Sequence, residues 1–311
     1  MELDQVVSFI GLVFLAVVPY ILASQGTMLA GQTGQFNVSQ EGIMLAGASL
    51  GFLGAYQFDS LWAGVLTAVL TGALFGLAFT YFTTTLKMNQ FVIGLALFFV
   101  GLGVSTLAFK LAIGVTLTPP QIPTLKKIPI PLLSQIPVVG EIIFSQNMFV
   151  YFAILLSVGL YFLLYRTQYG LELRSVGESP KTADSMGINV TKSRYVTAVV
   201  GGMLIGLAGV YLPMVYTGTF TEGIVQGRGW LSTALTFFGG WQPHYIFVGS
   251  FFFAIVEVFA LRAQVFGSGL PHQLLLTFPY ITTLLVMMFG ARWARTPAYL
   301  GQNYDREKRS V

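Results

Sequence analysis

Gly177-Glu178-Ser179-Pro180-Lys181-Thr182-Ala183-Asp184-Ser185-Met186-Gly187-Ile188-Asn189-Val190 is a polar stretch set between two strongly apolar ones. Ser179 is a residue type that caps a helix N-terminus, Pro180 suits the first helical position, and Gly187 suits the position just past a C-terminus. The spacing predicts a short helix with both ends specified. A connection on the water side of a membrane protein needs such a rigid knob only where something docks against it.

The apolar flanks extend through the whole chain. Hydrophobic residues make up 55% of its 311 positions and charged residues only 9%, against about one quarter charged in a soluble domain. The mean hydropathy is +0.74. No soluble fold covers that much apolar surface, so the chain is expected to be a membrane protein in contact with lipid. Cysteine is absent, which excludes disulfides and thiolate metal sites. The formal charge of +4 is scattered among the connections, so the chain carries no nucleic-acid patch.

Continuous apolar runs cover residues 6–24, 41–56, 61–82, 91–112, 148–165, 195–216, 230–241, 245–261 and 273–289. Several approach the roughly 20 residues that a helix needs to cross a bilayer, whereas 41–56 and 230–241 fall short. A β-barrel would need alternating segments of about ten residues, which these are not. The expected fold is an all-α polytopic bundle of about nine transmembrane helices, a single domain over residues 1–311.

Cytoplasmic loops retain Lys and Arg. With nine crossings and an internal C-terminus, Lys87, Arg166, Arg174, Lys181, Lys192, Arg194, Arg292, Arg295, Arg306, Lys308 and Arg309 fall inside. Lys110, Lys126, Lys127, Arg228 and Arg262 fall outside. The first five residues carry acid and no base, which suits an external N-terminus and argues against a cleaved signal peptide. The 166–194 loop and the 291–311 tail then face the cytoplasm. The external stretch 118–137, rich in proline up to Pro137, reads as a stiff strut.

A polar, Gly-rich lead-in at 31–40 precedes one short span and two longer ones, and residues 217–229 precede a similar set. On this topology the two units, 25–112 and 217–290, are inverted repeats, and short spans at matching positions point to a substrate route. A plain bundle with two short helices remains the alternative. Gly47 and Gly51, Gly72 and Gly76, and Gly202 and Gly206 have the small-xxx-small spacing that lets helices approach closely.

Charged groups at membrane depth cost about 2.5–3.5 kcal/mol on insertion scales. Glu41 opens one short span and Glu257 sits within 245–261, so both are candidates for a translocation path, with Asn37, Asn89 and Gln90 as uncharged companions. The competing readings are that Glu41, Asn89 and Gln90 are interfacial caps, and that Glu41 and Glu257 are each neutralised by a proton or by hydrogen bonds to a neighbouring helix. No phosphate-binding Gly-rich loop ending in Lys-Ser/Thr occurs, nor a Gly-x-Ser-x-Gly elbow. His244 and His272 stand alone, so no metal site is expected. No enzyme activity and no cofactor are expected.

Several of these stretches together carry a resemblance: Asn37-Val38-Ser39-Gln40-Glu41-Gly42-Ile43-Met44-Leu45-Ala46-Gly47-Ala48, Lys87-Met88-Asn89-Gln90-Phe91-Val92-Ile93-Gly94, Tyr169-Gly170-Leu171-Glu172-Leu173-Arg174-Ser175-Val176-Gly177-Glu178, Ala183-Asp184-Ser185-Met186-Gly187-Ile188-Asn189-Val190, and Gly227-Arg228-Gly229-Trp230. In this order, over roughly residues 30–290, they resemble the permease family of ABC importers for branched-chain amino acids, ribose and nucleosides. The likeness is closest to the nucleoside and simple-sugar branch. Ser39-Gln40 departs from it, standing where relatives carry a small residue and an aliphatic one.

The resemblance implies a type II importer subunit in a bacterial or archaeal plasma membrane. Its partners would be a second homologous permease, giving a heterodimer, a cytoplasmic ABC ATPase and an external substrate-binding lipoprotein. The knob would be the coupling helix that fits a groove on the ATPase. Glu178, Lys181, Ala183, Asp184, Met186, Gly187, Ile188 and Asn189 would make that contact, with Ala183, Met186 and Ile188 as its apolar face. Transport would proceed by alternating access. A stand-alone secondary transporter or channel remains the rival reading, and a branched-chain amino acid permease a more distant one.

Overall fold

The computed structural model describes residues 2–114, 119–131, 134, 136, 139–265, 272–290 and 295–305. Thr118, Pro137, Arg292, Arg306, Lys308 and Arg309, which figure in the strut and tail expectations, lie outside the described residues. Twelve α-helices occur in the described chain: α1 (Glu2–Gly31), α2 (Gln40–Gln57), α3 (Leu61–Thr80), α4 (Gln90–Ile113), α5 (Val139–Ile143), α6 (Met148–Arg166), α7 (Gln168–Glu178), α8 (Pro180–Ser185), α9 (Val190–Leu212), α10 (Arg228–Phe238), α11 (Pro243–Val265) and α12 (His272–Gly290). Two short strands, β1 (Ile128–Pro129) and β2 (Ser145–Gln146), pair antiparallel.

Each apolar run of the sequence falls on a helix. By length and apolarity, however, six of the described helical stretches suffice to cross a membrane, centred on α1, α3, α4, α6, α9 and α11. The expected count of nine is not reached on that criterion. α10 has 11 residues, about 16 Å of helix, and cannot span a bilayer alone. α2 is longer than its apolar run, at 18 residues, and nearly all of it is buried within the protein.

Local hydropathy also understates α1, which continues to Gly31 through polar Ser24, Gln25 and Thr27. Each of these side chains donates a hydrogen bond inside the bundle. Ser24 donates to the Ser232 carbonyl at 3.0 Å and Gln25 to the Pro243 carbonyl at 3.0 Å, while Thr27 bonds back to Ala23 at 2.9 Å. A polar group so paired no longer opposes burial.

α9 is the axis of the fold, and α1, α2 and α3 all pack against it. The glycines of the sequence pairs make those contacts. A Cβ on Gly72 would lie 2.0 Å from the Gly202 carbonyl oxygen, and one on Gly202 would lie 2.2 Å from that of Gly72. Gly47 meets Gly206, and Gly76 meets the Ala198 carbonyl, in the same manner. Without a hydrophobic drive between helices in lipid, such backbone approach supplies the packing energy. α9 ends in a π-helical turn, Pro213–Thr217, as expected where a proline lacks the N–H that the ladder requires. That turn anchors part of the strut, because Ile122 N–H donates to Gly218 O at 2.7 Å and Leu125 N–H to Met214 O at 2.9 Å.

The two groups of helices suspected of repeating each carry an initial helix packed on the next two. α2 packs on α3 and α4, and α10 packs on α11 and α12. α2 and α10 also touch one another. Their contact is where the first polar cluster lies.

Candidate functional site

The start of α10 is built by residues from three helices. Gly227 takes a left-handed conformation, with φ of +77°, as its N-cap and supplies no side-chain acceptor. The acceptor comes from α2: Glu41 Oε1 receives the Gly227 N–H and Oε2 the Gly229 N–H, both at 2.8 Å. A carboxylate there satisfies orphan amides and complements the positive end of the helix dipole. Gly229 permits the approach, since a Cβ at that position would lie 2.5 Å from Glu41 Cα.

Arg228 reaches from the same turn to α11, where its Nη2 lies 2.5 Å from Glu257 Oε1, and its Nη1 donates to the Val225 carbonyl at 3.2 Å. The two side chains are 14% and 13% exposed. Two cavities, of about 420 and 470 Å³, share Gln226, Arg228, Glu257 and Leu261 as a common wall. Tyr216, Thr217 and Thr221 face the first, while Tyr20 and Tyr280 face the second. Tyr280 donates to the Gln226 carbonyl at 2.8 Å and so holds α12 to the same turn.

Charge counting assigns Arg228 to the outer side; its guanidinium lies within the bundle as the partner of Glu257. Glu257 is balanced by a neighbouring helix, one of its sequence readings, through an arginine that the reading did not name. The Gly-Arg-Gly-Trp motif was the available signal. Removing one partner of such a pair strands the other charge, at a cost of about 3–5 kcal/mol. Glu257→Gln is therefore expected to lower the thermal stability of the purified protein strongly, and Arg228→Met/Glu257→Leu to restore most of it; equal stability of the single variant and the wild type would refute the pairing.

The remaining path candidates lie elsewhere. Asn37 Oδ1 accepts from the N–H and hydroxyl of Ser39 at 3.0 and 2.6 Å, which starts α2, and Gln40 bonds the Asn37 carbonyl. Ser39 and Gln40, the polar departure from the family pattern, are both buried. Asn89 is exposed and caps α4 by accepting from Val92 N–H at 3.1 Å, the cap reading of the sequence. Gln90 is buried and acts as a brace: its Oε1 accepts from Phe36 N–H at 2.6 Å, and its Nε2 donates to Gln302 O at 3.1 Å. Glu41 and Glu257 are thus brought together around Arg228, whereas Gln90 joins a separate layer with the tail and Asn89 caps α4 beside it.

The knob has the ends that its sequence specifies. Ser179 accepts from Thr182 N–H at 3.4 Å, and Pro180 occupies the first turn of α8. At the other end Ile188 N–H donates to Ala183 O and Gly187 N–H to Asp184 O, both at 3.0 Å, with Gly187 at φ +87°. These two bonds make a Schellman motif. Asn189 then caps α9 through Lys192 N–H at 2.9 Å. Met186 stands 79% exposed at the tip, and Glu178, Lys181, Gly187 and Asn189 are exposed around it. Ala183 corrects the expected apolar face: it is 2% exposed and packs inward with Val176, Val190, Ile188 and Tyr304. Asp184 accepts from the Tyr304 hydroxyl at 2.9 Å.

Six membrane-length apolar helices among the described residues suit a multi-pass membrane protein. The chain belongs to the family described as the permease component of the branched-chain amino acid transport system, which it matches over residues 8–289. It is a transport subunit and not an enzyme. As an ABC permease it works with a separate ATPase and a substrate-binding partner.

Among its relatives, the guanosine ABC transporter permease NupQ of Bacillus subtilis is 32% identical over 99% of this chain and 100% of that protein. The nucleoside ABC transporter permease NupC of Lactococcus lactis is 33% identical over 93% of this chain and 94% of that protein. TsgC13 of Haloferax volcanii, whose description as a glucose ABC transporter permease is itself provisional, is 29% identical over 92% and 94%. A solved ABC transporter described as of the metal-chelate type, in an inward-facing conformation, has 17% identity and a TM-score of 0.49 over 93% of this chain and 90% of that one.

Proposed function

We propose that this chain is the membrane-spanning half of an ATP-driven importer for nucleosides or related simple sugars, working by alternating access. The observation that carries the reading is the doubly capped knob, with its exposed Met186 tip, in a chain whose relatives include guanosine and nucleoside permeases. Residues 178–189 dock on a cytoplasmic ABC ATPase. A second, homologous permease completes the pore as a heterodimer, and an extracytoplasmic lipoprotein delivers the solute. The N-terminus lies outside and the C-terminus in the cytoplasm, which gathers Lys87, Arg194 and the knob at the inner end.

Glu41, Arg228 and Glu257 line or hold the route, and α2–α4 and α10–α12 form two inverted units that rock about the α2–α10 contact. Support for the inverted units comes from the meeting of α2 and α10 at their N-termini. Reconstitution into vesicles tests the reading. The chain with its permease partner, ATPase and binding protein is expected to take up labelled guanosine only with ATP. ATP-independent flux through the chain alone would replace it with a self-sufficient carrier, and uptake of leucine but not guanosine with a branched-chain amino acid importer.

A further inference from the structure

The described end of the C-terminal segment lies across the end of the bundle that carries the knob and bonds to several separate parts of it. Tyr299 N–H donates to Gly177 O at 2.9 Å and Gly301 N–H to Gly34 O at 3.0 Å. The Gln302 carbonyl receives two buried side chains, Arg194 Nη2 and Gln90 Nε2, each at 3.1 Å. Asn303 Nδ2 donates to the carbonyls of Lys87 and Met88, each at 2.7 Å, and its Oδ1 lies 3.2 Å from Gln90 Nε2. Lys87 Nζ lies 2.8 Å from Asp305 Oδ1. Tyr304 reaches the knob at Asp184 and packs into the small apolar cluster beneath it.

These bonds are arranged as a linkage. The knob rests on a few apolar side chains, Val176, Ala183, Ile188 and Val190, and Tyr304 is among them. Residues 302, 303 and 304 are consecutive, and a chain reaches at most about 3.6 Å per residue, so little slack separates the knob from the Lys87–Gln90 turn. Gln90 in turn holds the Phe36 amide, and Arg194 Nε holds the Thr33 carbonyl at 3.1 Å. Both lie in the lead-in to α2, whose first turn carries Glu41. Glu41 caps α10 beside the two cavities. Hydrogen bonds joined by short stretches of chain therefore run from the knob, through the tail and the α2 lead-in, to the start of α10.

We propose that residues 299–305 are a coupling strap, with Asn303 and Tyr304 as positioning residues that convert displacement of the knob into displacement of the α1–α2 lead-in and the α3–α4 turn. The inference rests on the reading of the knob as the ATPase contact. Strap and knob form one mechanical body, and the tail supplies a second route for force besides α7 and α9. A motion at the knob is conveyed only while the bonds hold, because coupling of this kind passes through contiguous packed and hydrogen-bonded groups.

The test is the double variant Asn303→Ala/Tyr304→Phe in the full complex, reconstituted with ATPase, permease partner and binding protein. The second change keeps an aromatic ring in the apolar cluster and removes the bond to Asp184. The ATPase is expected to co-purify in normal amount and to hydrolyse ATP within about twofold of the wild-type rate, while guanosine uptake falls about tenfold, so that more ATP is consumed per solute moved. An unchanged ratio of ATP to solute would overturn the strap. So would a loss of uptake matched by equal loss of ATPase association or of thermal stability, which marks a merely structural anchor. Failure of the wild-type chain to bind any ATPase would instead overturn the reading of the knob itself.

Discussion

Gly202→Leu is expected to prevent assembly of a stable bundle. The first added carbon would sit 2.2 Å from the Gly72 carbonyl oxygen, and neither backbone can turn aside as a side chain could. The helices α3 and α9 would have to separate along the surface where they approach most closely. Overpacking costs about 1–3 kcal/mol where side chains can yield and more where they cannot, against a total stability of about 5–15 kcal/mol. The variant should lose its single size-exclusion peak in detergent. Gly159→Leu is the control, because nothing lies within 4 Å of a Cβ at that position. Equal behaviour of the two variants would remove α9 from its central role.

Met186→Glu is the second large expectation, and it separates function from folding. The side chain is 79% exposed at the tip of α8 and is not one of the buried or half-buried residues that seat the knob. The change should leave thermal stability within about 0.5 kcal/mol, as for other surface substitutions. A carboxylate at the centre of a docking contact leaves a desolvated charge without a partner, so ATPase co-purification and ATP-driven uptake should both fall at least tenfold. Retained uptake would show that the tip docks nothing. Ala183→Arg is the poorer probe of docking, since Ala183 is turned inward and a long cation there would unseat the knob from within.

The parts of this molecule that were legible in its sequence are those governed by near neighbours. The knob is one: Ser179, Pro180 and Gly187 specify its ends through bonds to residues two to five positions away, and the structure repeats that local logic. The apolar runs are another, because a helix hides its own backbone polarity wherever it lies. The length of α1 was not legible. Ser24 and Gln25 look like an end until carbonyls of α10 and α11, some 208 and 218 residues away, accept their hydrogen bonds.

Arg228 illustrates the same limit for the site. Charge counting along loops assigns it only a side of the membrane, and only the approach of α11 makes it the partner of Glu257. Asn89 and Gln90 are adjacent in sequence and similar in chemistry, yet one is an exposed cap and the other a buried brace. The tail was the least legible part. Its acceptors and donors are mostly backbone groups, such as Gln302 O and Gly301 N–H, which every sequence possesses and no pattern marks.

The carboxylate of Glu41 has one further consequence. It belongs to the first group of helices, while the amides it accepts belong to the second. Neither group can reach its native form by itself, for one would keep a desolvated acid and the other a bare helix origin. The joint is therefore expected to make the two groups of helices mutually dependent in biogenesis, the early-synthesised portion staying incompletely satisfied until ribosomal elongation delivers the loop that closes it.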